Sequence, residues 1–431
     1  MTSDVVIVGA GPAGTSAGIV LARAGARVRI LDRAAFPRDK LCGDTINPGA
    51  LARLRALGVA GAIESRGLRV VGMRVTGASG IAVEGRYSEG LFGCAIRRRD
   101  LDQVLLEEAV RAGCQFDPGV AVRGVVIRES GGRRIVTGVL IGGGRRGHEA
   151  SISAPVIIAA DGRHSTIAFG LGLAQHPASP RRWAIGAYFG DLVPERCRSS
   201  AGAVPESCQS NVDIRVTGAG VVPESCRSRV GVVSESPVGE SPVVGEMHIR
   251  AGRYIGVAPV PGGLTNVCLV RPSGPADPEL ADPTALLRRE LARDPLLADR
   301  AAAARLVAPP SVLGPLAVDV APAAISGLLL AGDAGGFIDP MTGDGLRFAI
   351  HGGELAAAAA LDALAGGWAG VHARLRARRA RAFAGKWRFN RALRAIVSSP
   401  RAIDAAMLGS RIAPAIMRAV IARAGDCRAA C

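Results

Sequence analysis

Residues 4–32 constrain the fold most. Asp4 to Val8 is a short apolar run that leads straight into Gly9-Ala10-Gly11-Pro12-Ala13-Gly14. Ala17, Val20, Leu21 and Ala24 then recur on one helical face, and Gly25 stops the pattern. Arg27 to Leu31 forms a second strand that finishes at Asp32, 18 residues after Gly14. Strand, glycine turn, helix, strand and acid together predict a dinucleotide-binding βαβ unit. Gly9 permits the tight turn, Gly11 lets a pyrophosphate approach the backbone, and Gly14 lets the helix pack closely on the strand. The helix start at Pro12 and Ala13 offers free N–H groups and a positive dipole end to the phosphates. Asp32 is placed to accept hydrogen bonds from the ribose hydroxyls, with Arg33 beside it.

The rest of the composition narrows the class. With 431 residues, 48% of them hydrophobic, the chain can bury one large core or two merged domains. It contains no uninterrupted apolar run of about 18 residues, so a membrane span is not expected. Asp4 stands where a signal peptide would be basic, so a cytoplasmic location is expected. Nine cysteines without a CxxC pair argue against a zinc site and a disulfide framework. The charge is uneven. Residues 363–431 hold 14 Arg and Lys against two acids, so they supply +12 of the net +16. Such a basic segment is either a solvated helical face or a surface that touches anionic lipid at the membrane periphery. No nucleic-acid partner is expected.

Two further apolar strands end in glycine and aspartate. Ser153 to Ala160 is closed by Asp161-Gly162-Arg163-His164-Ser165, and Leu328 to Ala331 by Gly332-Asp333-Ala334-Gly335. Pro340-Met341-Thr342-Gly343-Asp344-Gly345-Leu346 then precedes a long helix to about Leu364. Buried parallel strands that present residues at their C-terminal edge fit this pattern. With Arg98-Arg99-Asp100-Leu101-Asp102, these stretches resemble the FAD-dependent glutathione-reductase-type superfamily, in its hydroxylase-like branch. The resemblance implies that Asp333 bonds the ribityl chain and that Asp161 and Arg98 lie near the cofactor. It also implies that Gly343, Gly345 and Leu346 lie under the flavin pyrimidine edge. A helix N-terminus there would stabilise the negative charge of a reduced flavin.

Phe36-Pro37-Arg38-Asp39-Lys40-Leu41-Cys42-Gly43-Asp44 resembles the FPRDK-x-CGD segment of the geranylgeranyl reductase family. That resemblance puts Cys42, Gly43 and Asp44 beside the flavin, with Cys42 facing the substrate as the candidate catalytic residue. The alternative for Cys42 is a small buried hydrophobe. Of the family's aromatic Y-x-W-x-F-P segment, Tyr254 and Pro259 remain and the Trp and Phe are absent.

The expected fold is α/β: a Rossmann-type FAD-binding domain, a discontinuous antiparallel-sheet substrate domain and a helical C-terminal segment. The FAD-binding domain takes residues 1–60, 95–170 and 315–365. The substrate domain takes 61–94, 171–193 and 244–314, with β-formers at 68–83, 183–190, 246–258 and 264–271. Residues 194–243 carry irregular Val-Pro-Glu-x-Cys repeats and few large apolar residues, which predicts a low-complexity insertion. Residues 366–431 form the basic helical region, with helices expected at Trp368–Ile396 and Ala402–Ala424.

The expected activity is reduction of a carbon–carbon double bond in a small apolar, isoprenoid-like substrate by hydride from reduced FAD. NAD(P)H or a reduced carrier protein would supply the electrons. His164, His248 and His351 are candidate proton donors. An aromatic monooxygenase is the alternative, and a non-catalytic FAD-binding protein a further one. A halogenase is disfavoured because no W-x-W-x-I-P segment occurs.

Overall fold

The structure is a computed structural model. It describes residues 2–77, 81–88, 90–142, 150–179, 181–192, 242–321, 325–338, 340–397, 399–425 and 427. The repeats of the expected insertion lie outside the described residues.

The cofactor half is a five-stranded parallel sheet. Its order is Leu328–Leu330, Val156–Ala159, Val5–Val8, Val28–Asp32, Gln115–Pro118. Val5 pairs with Val156 on one side and Val28 on the other. Both faces are covered, which is why the central strands read as unbroken apolar runs. Val5 and Ile7 face a layer containing helices Pro12–Arg23, Arg98–Arg111 and Gly345–Gly366. Val6 and Val8 face Val122, Val136 and Val139 of a three-stranded antiparallel sheet, Val122–Ser130, Arg133–Ile141 and Ala150–Ser153. The strand expected over Ser153 to Ala160 forms at Val156–Ala159, whereas Ser153 ends a strand of the antiparallel sheet and the chain passes between sheets at Ala154-Pro155. Helix Gly345–Gly366 is apolar and long enough to cross a membrane, but half of that apolar stretch is buried in this core.

The substrate half is a larger sheet. Strands Arg182–Gly190, Leu264–Pro272, Arg253–Val260 and Val243–Arg250 run antiparallel in that order. Val243–Arg250 then joins Leu68–Thr76 in parallel, a pairing not expected from the sequence. Side chains alternate across this sheet with period two. Ile185, Val257, Val267 and Leu269 pack down onto Leu286, Leu287 and Leu291 of helix Pro283–Ala292. Ala184, Tyr254, Cys268 and Val270 point up, toward the cofactor half.

The C-terminal region forms three helices: Val371–Val397, Pro400–Ile412 and Pro414–Ala424. The single helix expected over Ala402–Ala424 is broken at Ala413, and Pro414, which has no N–H to continue the ladder, starts the next helix. The region docks on the body. Phe383 and Val397 are buried, and Ile421 lies over Gly85 of strand Ala82–Arg86.

Candidate functional site

The first turn is built by close approach. Gly9 has φ +102°, and a Cβ there would lie 2.4 Å from the Ala160 carbonyl oxygen. A Cβ on Gly14 would lie 1.9 Å from the Gly9 carbonyl oxygen. Gly11 is different: its added Cβ would meet only an Arg38 guanidinium nitrogen, at 3.7 Å. The space in front of Gly11 is open, as a pyrophosphate at this helix N-terminus requires. Asp32 is buried at the end of its strand. Its Oδ2 accepts from the Ala10 N–H at 2.8 Å and its Oδ1 from the Ala34 N–H at 2.9 Å. Each oxygen keeps a further lone pair. Arg33 beside it is exposed.

One cavity of about 380 Å³ runs from this groove to the substrate sheet. Its cofactor end is walled by Gly11, Pro12 and Ala13, by Arg98, by Asp333, and by Gly343, Gly345 and Leu346. These come from four distant stretches that the parallel strands gather at one edge. Asp161 stands apart. Ala160, Gly162 and Arg163 line the cavity, while the Asp161 carboxylate takes hydrogen bonds from Ser165 and the amides of Thr166 and Ile167. Ser165 caps the short helix Thr166–Gly170, its Oγ accepting from the Ala168 N–H at 2.9 Å.

The Cys42-Gly43-Asp44 loop crosses the middle of the cavity. Asp44 is fully buried with φ +51°. Its Oδ1 accepts from the Arg98 N–H at 3.0 Å, and its Oδ2 from Tyr188 Oη at 2.6 Å and Asn266 Nδ2 at 2.5 Å. Asp44 therefore ties the loop to helix Arg98–Arg111 and to two strands of the substrate sheet. Burial outweighs these hydrogen bonds and pushes the Asp44 carboxyl up to about 6. Arg98 is buried and doubly bonded to Asp102, at 3.0 Å for each contact. Cys42 is half-buried on the cavity wall. Burial raises its thiol above the ordinary range, against the opposing pull of Arg98. Lys40 lines the wall beside it, and burial lowers its ammonium.

Helix Gly345–Gly366 begins at a buried polar cluster that the sequence did not reveal. Asp344 accepts from Asn47 Nδ2 at 3.1 Å and Thr342 Oγ1 at 2.6 Å. Lys386 Nζ lies 3.2 Å from Asp344 Oδ1. Lys386 also donates to the carbonyls of Arg423 and Ala424, at 2.5 and 2.8 Å. Burial pulls the Asp344 carboxyl upward and the Lys386 charge opposes it. Lys386 sits in an arginine-rich run, and its rarity was the available signal: the chain has two lysines, Lys40 and Lys386.

The three candidate histidines lie in other surroundings than the cavity wall. His248 is buried between Thr76 Oγ1 and Glu246 Oε2, each at 3.0 Å. Glu246 is also held by Arg300, at 2.8 and 3.0 Å. Burial would raise Glu246, but the His248 and Arg300 hydrogen bonds bring it down to about 2. His351 packs edge-on against Phe383, and burial lowers it to about 4. His164 packs against His176, and burial lowers it as well. The cavity lining contains none of the three.

Beyond the loop the cavity becomes an aliphatic chamber. Met73, Met247 and Ile249 form its floor, and Val397, Ile403 and Val420 from the C-terminal helices form its roof. A dinucleotide groove that opens into an enclosed apolar chamber is the architecture of a flavin-dependent oxidoreductase. Residues 2–198 match the family model described as FAD binding domain. The chain belongs to this family of FAD-dependent oxidoreductases, and FAD is its cofactor. It is 30% identical to the menaquinone reductase of Mycobacterium tuberculosis over 366 residues, 83% of this chain and 76% of that one. Similarity to the Mycolicibacterium smegmatis menaquinone reductase is 36% over 189 residues, which span 44% of that protein. The flavin-dependent brominase Bmp2 superposes with a TM-score of 0.75 at 20% identity, covering 99% of this chain and 94% of that one; this shows the fold alone. The expected geranylgeranyl reductase kinship is the more distant one. A geranylgeranyl diphosphate reductase from Rhodobacter capsulatus matches over 39% of this chain.

Proposed function

We propose that this protein reduces a carbon–carbon double bond in the isoprenoid chain of an apolar substrate, with lipid quinones as the leading class. The supporting observation is the chamber. Its floor and roof are flexible methionines and branched aliphatic side chains, which suit a long hydrocarbon chain better than a planar ring. The near full-length similarity to menaquinone reductase points the same way, because menaquinone carries an isoprenoid chain.

Bound FAD, once reduced, supplies the hydride. The chain's own residues do the rest. The helix start at Pro12 and Ala13 and the Asp333 turn hold the cofactor in the groove. Arg98, fixed by Asp102, supports the Cys42 loop from below. The aliphatic walls exclude water from the reacting bond. Cys42 Sγ holds a proton at the wall between groove and chamber, and burial keeps it there at neutral pH.

Anaerobic reduction of the purified flavoprotein, followed by mixing with menaquinone or a geranylgeranyl compound, tests this reading. Reoxidation of the flavin band with a product heavier by two hydrogens is expected. Reoxidation by oxygen alone, with hydroxylation of an added aromatic, would overturn it in favour of a monooxygenase. Failure of every acceptor would leave a non-catalytic FAD-binding protein.

A further inference from the structure

We infer that the corner between helices Pro400–Ile412 and Pro414–Ala424 is a docking surface for an anionic lipid bilayer. Eight large hydrophobic side chains are exposed among the described residues, and the three most exposed are neighbours here. Ile412 is 82% exposed, Ile416 66% and Leu408 55%. Leu408 and Ile412 stand one helical turn apart. Ile416 begins the next helix, its N–H bonded to the Ala413 carbonyl at the corner. Side chains this exposed protrude, so the patch is a tip and not a groove.

Charge selects the occupant. Arg401 and Arg418 are exposed on these two helices, and Arg388 and Arg391 on helix Val371–Val397 before them. This region contributes most of the positive charge of the chain. Protruding aliphatic residues on helices that carry exposed arginines match the two layers of an anionic membrane surface: hydrocarbon below, phosphate above. The same two helices, through Ile403, Met417 and Val420, also roof the apolar chamber. The bilayer would therefore meet the same helices that enclose the substrate space. This last link rests on the proposed lipid substrate; the docking surface itself does not.

The test is flotation of the FAD-loaded full chain with vesicles of phosphatidylcholine alone or mixed with phosphatidylglycerol. Binding to the mixed vesicles, weakened by salt, is expected. The double variant Ile412→Ser/Ile416→Ser should lower partitioning by about tenfold or more. Arg401→Gln and Arg418→Gln should each lower it by about fivefold. Flavin content and Tm should be unchanged in all three, since the residues are exposed. Absence of binding to anionic vesicles would overturn the inference, as would unchanged partitioning of the double variant. A dimer of the parent chain that dissociates in the double variant would assign the tip to a second copy and also overturn it. Failure of alkene reduction with vesicle binding intact would sink the substrate reading and leave the docking surface standing.

Discussion

The two ends of the cavity are made from different materials. At the cofactor end the walls are largely backbone: a glycine turn, helix starts and strand ends that approach within van der Waals contact. At the substrate end the walls are side chains on a pleated sheet, with helices laid over them. A backbone wall cannot give way, because the atoms that would have to move belong to the central sheet. A side-chain wall can change shape by rotamer or by substitution while the sheet stays put. The first end fixes one cofactor, and the second sets which substrate fits.

The most severe test of this contrast is a single methyl group. Gly14→Ala would put Cβ 1.9 Å from the Gly9 carbonyl oxygen. The helix and the turn cannot both keep their places, so soluble folded protein should be lost. Gly11→Val, which faces open space, should instead leave the circular dichroism spectrum intact and abolish FAD retention. Stoichiometric FAD in purified Gly11→Val protein would break the contrast at once.

Next in size is the cation under the cofactor helix. Lys386→Met leaves buried Asp344 without its cation and should cost about 3–5 kcal/mol in urea unfolding. Its partner variant, Asp344→Asn with Lys386→Met, should recover a large part of that loss. Equal costs for the single and double variants would show that the pair contributes no coupling.

Two buried carboxylates sharpen the comparison through pH. Asp44 has its folded value raised from 3.8 to about 6, so the folded state binds the extra proton in that window. Its contribution to stability is complete below about pH 4 and is lost as pH rises through about 6, by roughly 3 kcal/mol. Glu246 has its value lowered from 4.5 to about 2. Its contribution is present above about pH 4.5 and is lost as pH falls toward 2, by roughly 3 kcal/mol. Denaturation midpoints of Asp44→Asn and Glu246→Gln, each subtracted from the parent across pH 2–7, should therefore slope in opposite directions. Parallel slopes would show that one of the two carboxylates is misjudged.

The smallest expected change in stability is at Cys42. Cys42→Ala should shift Tm by no more than about 2 °C and leave FAD affinity within about twofold, because the sulfur borders an open cavity. Single-turnover reoxidation by an alkene substrate should slow. A lowered Tm with normal reoxidation would make Cys42 a packing residue.

The same contrast explains what could be read in advance. Backbone-walled sites need glycine at fixed places, and residue identity records that need. Hence Gly9 to Gly14, the Asp333 turn and Gly343 to Leu346 were visible as a cofactor groove, and their gathering at one edge followed from parallel strands. The substrate strands were visible through their period of two. Their parallel join at Val243–Arg250 was not, since alternation is the same in either direction. The Glu246–His248–Arg300 network was also hidden. Charges 54 residues apart in sequence look like solvated surface until the sheet folds them onto one helix. Lys386 was hidden for the same reason, inside a run of arginines of which several, such as Arg374, Arg376 and Arg381, do face water. The break at Pro414 was legible and was passed over.

Lys386 has one more consequence, and it concerns biosynthesis. Its ammonium joins Asp344, at the start of the cofactor helix, to carbonyl groups at residues 423 and 424. The glycine turn is synthesised long before these carbonyls. While a chain is still being made, Asp344 has no completed partner set, and the chamber has no roof. Until residues 423 and 424 are made, the buried Asp344–Lys386 pair lacks these two carbonyl partners.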